Sequence, residues 1–418
     1  MARPQQIFLA RHVGEPKAGD NMAQSSPSKQ FPHLSRDVEL RDAIRRLCLK
    51  FDLAYWDRSD AEHEFPEEFF QAFAASSFLG TLIPEEYGGG GGTTSDMVAI
   101  LEEVAASGGG LNASSSVHTP LLCVPAILAF GTEDQRRELL PRIAAGTLYT
   151  TFGVTEPDAG TDTTKISTRA EDDGSCWRIS GAKVWNTGAL RGDKVLLLAR
   201  TSTPAAGERK GLGLTLFMAD LASDGVDIRP IPKIGRNSVV SCEVFFRDVA
   251  VPYDSVLGTV GQGFYHLLHS LNSERLFVAA ESIGLGRWAL GAATQYSLDR
   301  EVFGRPIGQN QAVQHPLAKS YLGLLAAAEV LTRAVSEYET RGPELVGALA
   351  NAAKYLCSEA SCDTTDAAMQ VFGGYSYARE YHIGRMWIES RLPRVAPVNN
   401  QMILNYIAER TLGLPRSY

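Results

Sequence analysis

The fold turns on five short runs in the middle of the chain. They are WRISGAKVW at 177–185, KVLLLAR at 194–200, LTLFMAD at 214–220, GVDIRPIP at 225–232 and CEVFFRDVAVP at 242–252. Each is apolar or alternating and is bounded by Gly, Pro, Asp or Ser, which is how short strands read. Their spacing predicts an antiparallel β domain, a barrel or small sandwich, between about Thr150 and Leu257. The text on both sides is helical. Upstream, Ala43, Leu47, Phe51 and Tyr55 recur at spacing four, and Phe69, Phe70 and Phe73 mark a second amphipathic stretch. Downstream, from Gly261, the helical period returns with lengths suited to a bundle. The chain is therefore expected to be a multi-domain α+β protein. Its parts are a flexible arm (1–36), an N-terminal α-helical domain (37–149), a middle β domain (150–258) and a C-terminal helical bundle (259–418).

The 418 residues carry 40 Lys+Arg against 48 Asp+Glu, a net charge of −8. A nucleic-acid partner needs a clustered basic face, so none is expected. Apolar content of 44% with 21% charged residues excludes wholesale disorder. No run of eighteen apolar residues occurs, so no membrane partner is expected. Cys48, Cys123, Cys176, Cys242, Cys357 and Cys362 lack CxxC spacing. They read as reduced, mostly buried thiols of a cytoplasmic protein. Pro, Gly, Ser, Gln and Lys dominate from Gly14 to Ser28, as in a flexible arm. The glycines Gly88–Gly92 lack the Lys-Ser or Lys-Thr of a phosphate-binding loop and read as a mobile loop.

Several familiar chemistries find no support. His266 and His269 lie at i, i+3 without accompanying carboxylates or cysteines, so no metal site is expected. There is no GxSxG elbow and no GxGxxG opening a helix. The helix after Gly263 is more informative. Phe264, Leu267, Leu268, Leu271, Val278 and Leu285 form one stripe, and Glu274, Arg275 and Glu281 fall on or beside it. A charge on an apolar stripe is paired, neutral or functional. Two readings stand: a polar cluster inside the bundle, or a carboxylate whose apolar pocket makes it a general base. Glu281 lies about 10 Å further along the axis, too far to share a Cα proton with Glu274, so Glu281→Gln is expected to be mild.

From roughly Leu40 to the C-terminus the chain resembles the acyl-CoA dehydrogenase family, with four motifs in family order. GVTEPDAGTD (153–162) resembles a flavin-contacting loop, although Lys165 stands where a small residue is usual. KVWNTGA (183–189) resembles the loop whose Trp and Thr flank the isoalloxazine ring. REVFGRPIGQNQ (300–311) resembles the segment that reaches a neighbouring subunit's FAD. QVFGGYSYAREYHIGRMWIE (370–389) resembles the second family signature, with Ser376 replacing a Gly. The resemblance implies FAD contacts from Phe152, Val154, Thr155, Thr161, Trp185, Thr187, Arg300, Phe303, Gln311, Gln370, Gly373, Gly374, Asn399 and Gln401. It also implies substrate contacts from Thr161 and Arg275, and a homotetramer or dimer.

The catalytic Glu of most members falls, in ungapped register, at Pro397 in RVAPVNNQ (394–401). Proline also lacks the N–H that would hold a thioester carbonyl. A minority branch, resembling isovaleryl-CoA and long-chain acyl-CoA dehydrogenases, carries its base on the long helix in a Glu-Arg-Leu text. Here Ser273-Glu274-Arg275-Leu276 occupies that place, which implies Glu274 as the base. The expected reaction is FAD-dependent oxidation of an acyl-CoA to the 2,3-enoyl-CoA, with electrons passing to an electron-transfer flavoprotein. The alternatives are a flavin monooxygenase or desulfinase on the same fold, or a partner subunit of a heteromeric acyl-CoA dehydrogenase.

Overall fold

The computed structural model describes residues 31–342 and 346–417. Among the described residues seven helices come first: α1 (Val38–Cys48), α2 (Leu53–Glu62), α3 (Glu67–Ala75), α4 (Thr94–Ala105), α5 (Gly110–His118), α6 (Val124–Phe130) and α7 (Glu133–Ala144). Helices α4 and α7 open with reciprocal capping boxes, Thr93 with Asp96 and Thr132 with Gln135, which satisfy backbone donors that a helix start leaves unpaired. Asp52 accepts the Tyr55 N–H at 2.8 Å and begins α2. Phe51 and Tyr55 therefore flank a break instead of continuing α1.

The middle of the chain forms one eight-stranded sheet in the order β6-β7-β3-β2-β4-β5-β8, with β1 beside β4. The strands are β1 (Thr150–Gly153), β2 (Arg169–Asp172), β3 (Trp177–Thr187), β4 (Lys194–Arg200), β5 (Leu214–Asp220), β6 (Val226–Pro230), β7 (Ser241–Val251) and β8 (Val256–Leu257). Pairing is antiparallel except where β4 meets β1 and β2. Val195 and Leu197 of β4 face a core shared with Ile179, Phe217 and Val244. Leu196 and Leu198 face the helices. Burial on both faces explains why KVLLLAR reads as a continuous apolar run.

Three long helices complete the chain: α8 (Gly263–Asp299), α9 (Gln311–Arg341) and α10 (Gly347–Phe372), followed by α11 (Ile383–Ser390) and α12 (Asn400–Tyr406). Helix α8 packs against α4, α9 and α10. A Cβ on Gly284 would lie 2.1 Å from the Glu102 carbonyl oxygen, so the absent side chain permits the α4–α8 contact. Beneath it, buried Glu102 and Glu103 pair with Arg41, Arg45 and Arg287. A hairpin, β9 (Glu301–Val302) and β10 (Arg305–Pro306), separates α8 from α9. Phe303 and Gly304 turn it with φ of 54° and 75°, the positive pair that a two-residue hairpin favours.

Several expectations need correction. Residues 31–36 are not the end of an arm: Phe31 and Leu34 are buried, and His33 meets Glu102 at 2.9 Å. The rest of the expected arm lies outside the described residues. Gly88–Gly92 is not a loose loop either. The N–H groups of Gly90, Gly91 and Gly92 bond Gly80, Ile83 and Thr81 carbonyls at 2.7–2.9 Å. On α8, Leu267, Val278 and Leu285 are buried but Leu268 is 41% exposed, because the first turns are covered on one side only. Gly110–Phe130 is long and apolar enough to cross a membrane, with mean hydropathy 1.4, yet 72% of that window is buried inside the protein.

Candidate active site

Glu274 lies about three turns into α8, which packs against α5 there. Its Oε2 is 2.8 Å from His118 Nε2, while His118 Nδ1 is 2.8 Å from Glu281 Oε1. Among the described residues Glu274 Oε1 takes no hydrogen bond. Burial opposes charging of His118, but the two carboxylates outweigh it and push the imidazole up to about 10. Glu281 is thus no independent carboxylate, since two turns of α8 place it on the other side of the same ring. Arg275, next along, is half-buried. Burial pushes its guanidinium down, opposed by Tyr406 and Glu274.

The carboxylate nearest Pro397 upstream is committed elsewhere. Glu389 accepts the Leu111 N–H at 2.6 Å and Asn112 Nδ2 at 2.8 Å, and pairs with Arg385. Burial pushes its carboxyl up, and those partners oppose the shift. Pro397 itself is exposed. The loop beyond it is anchored by Lys354, which donates to the Val398 carbonyl and to Asn400 Oδ1 at 2.7 and 2.8 Å.

A second group gathers where β1 and β3 end. The register of β3 on β7 slips between Lys183 and Asn186, and this bulge sets Trp185 at φ 62° with 56% of the residue exposed. Thr187 Oγ1 accepts from Arg236 Nη2 at 3.1 Å, which leaves its O–H proton to be given outward. Arg236 also donates to Ser115 and Ser241. Ser115 and His118 are three apart on α5, so one short helix connects the Thr187 and Glu274 neighbourhoods. Phe152, Val154 and Thr155 are half-buried beside β3, and the Thr155 carbonyl accepts the Val184 N–H at 2.9 Å. Thr161 is exposed and its Oγ1 is 3.4 Å from Asn399 Nδ2. Asn399 also caps α12 through the Met402 N–H, and Gln401, two residues on, is exposed.

This loop is pinned from below. Lys183 and Glu156, 0% and 3% exposed, meet at 2.8 Å. Glu156 also accepts from the Ser167 N–H and O–H and from the Thr168 N–H. Burial works against the Glu156 charge, but these partners hold the carboxyl down to about 2.

A third group is separate. Arg300, Val302, Phe372, Gly374 and Tyr375 line a concavity of about 600 Å³, with the Arg300 guanidinium 5.9 Å from the Tyr375 ring. Gly373 has φ 58°, and a Cβ on Gly373 or Gly374 would meet nothing within 4 Å. Gln370 and Gln311 are exposed. Phe303, at the hairpin tip, is 100% exposed. Among the described residues no hydrogen bond or ring contact joins this group to the other two. His266 and His269, by contrast, pack on Phe130 with ring centroids at 4.1 and 5.4 Å.

The residues fit a flavin dinucleotide on two observations. Both side-chain polar atoms of buried Asn186, between Trp185 and Thr187, lack a partner, and the Gly373-Gly374 backbone is open to close approach. Sequence reasoning missed His118, Arg236 and the Lys183–Glu156 pair. Of these only the i, i+3 spacing of Ser115 and His118 carries a local signal.

The chain matches the acyl-CoA dehydrogenase N-terminal, middle and C-terminal domains over residues 36–147, 151–249 and 261–412. It is 36% identical to acyl-CoA dehydrogenase FadE12 of Mycobacterium tuberculosis, over 91% of this chain and 96% of that one. It is 32% identical to glutaryl-CoA dehydrogenase of Desulfococcus multivorans, covering 85% and 91%. The structure of a glutaryl-coenzyme A dehydrogenase with glutaryl-CoA superposes with a TM-score of 0.85 at 29% identity, covering 91% and 96%. Butyryl-CoA dehydrogenase from Megasphaera elsdenii gives 0.83 at 26%, covering 89% and 98%. With its helical–sheet–helical order and all three domains matched, the chain belongs to the acyl-CoA dehydrogenase family of oxidoreductases.

Proposed function

We propose that the protein oxidises an acyl-CoA to the 2,3-enoyl-CoA with FAD, and that Glu274 removes the α-proton. The observation that carries this is a carboxylate between helices, tied by Oε2 to His118, whose Oε1 takes no hydrogen bond among the described residues. Pro397 and Glu389 leave the late loop without a competing base. Thr187, oriented by Arg236, would donate its hydroxyl proton to the flavin, and Trp185 would wall the ring. Phe152, Val154, Thr155 and Asn399 would line the same side, Gln401 would follow on α12, and Thr161 and Arg275 would meet the substrate. Arg300, Phe303, Gln311, Gln370, Gly373 and Gly374 would serve the dinucleotide of a neighbouring copy, which makes the working unit a dimer or homotetramer. FAD, when bound, supplies the acceptor for the β-hydride, and an electron-transfer flavoprotein would collect the electrons. The division of labour follows 37–149, 150–258 and 259–418.

The test is Glu274→Gln, which keeps size and most hydrogen bonding but removes the proton acceptor. The variant should retain FAD and bind acyl-CoA, while anaerobic bleaching of the flavin by acyl-CoA falls about a hundredfold or more. Bleaching at the wild-type rate would overturn this assignment. Bleaching that fails for every thioester in the wild type, with substrate-dependent O2 uptake instead, would favour the oxygenase alternative.

A further inference from the structure

His118 belongs to none of the sequence motifs, yet it is the most constrained titratable group near Glu274. It ends α5, is 5% exposed, and has the Phe277 ring edge-on at 5.6 Å. A neutral imidazole has one N–H and one lone pair. Facing a carboxylate at 2.8 Å from each nitrogen, the neutral ring would set its lone pair against a carboxylate oxygen. The arrangement is satisfied when both nitrogens are protonated, so that each donates to one carboxylate.

Building on the assignment of Glu274 as base, we propose that His118 is a positioning residue. Its imidazolium holds the Glu274 carboxylate by Oε2, leaves Oε1 to the substrate, and is itself balanced by Glu281. Two anions and one cation give the triad a net charge of −1 at rest. When the substrate Cα–H bond breaks, its electron pair stays on carbon and the proton forms an O–H bond on Glu274. The triad becomes neutral, and Glu281 remains as the counter-anion of His118. The triad takes up no electrons, so no oxidant is needed beyond that of the proposed reaction. The groups facing it are Glu274, Arg275, Phe277 and Glu281 from α8, Ser115 from its own helix, and Arg236 from the segment before β7. Arg236 acts on Glu281 through its charge and donates to Ser115 at 3.1 Å. It supports the Glu281 anion and so opposes any transfer of a proton onto it.

The His118 cation and the Glu281 anion behind it therefore act on Glu274 through one ring, with opposite signs. Removing the cation in His118→Asn should raise the acid limb of the bleaching-rate profile by about one pH unit or more. Glu281→Gln leaves the imidazolium uncompensated and should move the same limb the other way, with a lower plateau. A merely structural role would move neither limb. The second readout needs no turnover. In 15N-histidine-labelled holoprotein, with His118 assigned by its loss in His118→Asn, both ring nitrogens should be protonated at about pH 8, where an ordinary histidine is neutral. A neutral His118 at that pH, or limbs that stay put or move together, would overturn the proposal. If His118→Asn fails to hold flavin, the wild-type spectrum, assigned instead by its change in Glu281→Gln, and the Glu281→Gln limb decide the matter. A charged His118 together with wild-type bleaching in Glu274→Gln would sink the base assignment and leave the imidazolium standing.

Discussion

Replacing Lys183 by Met removes one partner of a pair sealed at 0% and 3% exposure. The Glu156 carboxylate would keep three donors, from the Ser167 N–H and O–H and the Thr168 N–H. It would lose the ammonium at 2.8 Å, and the Val154 carbonyl would lose its donor at 3.1 Å. Breaking a buried pair from one side costs about 3–5 kcal/mol. The three remaining donors place the loss near the lower end, about 3 kcal/mol, roughly a hundredfold in the unfolding equilibrium. Melting points of mid-sized domains move about 2–4 °C per kcal/mol. A chain of this length should move less, so flavin release on heating should start roughly 3–6 °C earlier. Because Lys183 and Glu156 hold the loop that carries Val154, Thr155 and Thr161, flavin should be lost before the helices melt. The assay follows flavin fluorescence and far-UV circular dichroism in the same thermal scan. Adding Glu156→Leu should restore more than half of the loss. Flavin release within 1 °C of wild type, or no recovery in the double variant, would refute the reasoning.

Two further predictions concern pH and assembly. Burial opposes the charge on His118, but Glu274 and Glu281 carry it from 6.5 to about 10, so the folded state holds this proton more tightly than the unfolded one. The stabilisation is full below about pH 6.5 and is lost as pH rises through 10. The difference in thermal midpoint between wild type and Glu281→Gln should therefore shrink from about pH 7 to pH 10.5, and a constant difference would contradict it. Phe303→Ser changes a residue that is 100% exposed. It should alter chain stability by less than about 0.5 kcal/mol while lowering both the assembled mass by light scattering and the bound flavin. Unchanged mass and flavin would contradict the role given to the hairpin.

The order of helical, sheet and helical parts was legible because the strands of the five middle runs turn apolar residues to the core on one or both faces, those of β6 only partly buried. The five runs therefore carry their apolar residues at a spacing that helices do not use. Trp185 and Thr187 could be picked out by resemblance, but the bulge that turns Trp185 outward could not, since it depends on the register against β7. Gly88–Gly92 misled because glycine marks both loose chain and backbone packed too closely for a side chain. Here the second applies. The partner of Glu274 was invisible for a simpler reason: His118 lies 156 residues away, beyond any periodicity. Glu281 was visible on the stripe, yet distance along the helix axis said nothing about a ring lying between the two carboxylates.

Helix α8 carries Glu274 near one end and delivers Arg300 at the other, 26 residues later. In an α-helix that is about 39 Å of rigid rod. Inserting or deleting one residue between them would slide Arg300 by about 1.5 Å and swing it by about 100°. Helix α8 is in effect a measuring rod, and its residue count fixes how far the Arg300 hairpin stands from the Glu274 carboxylate.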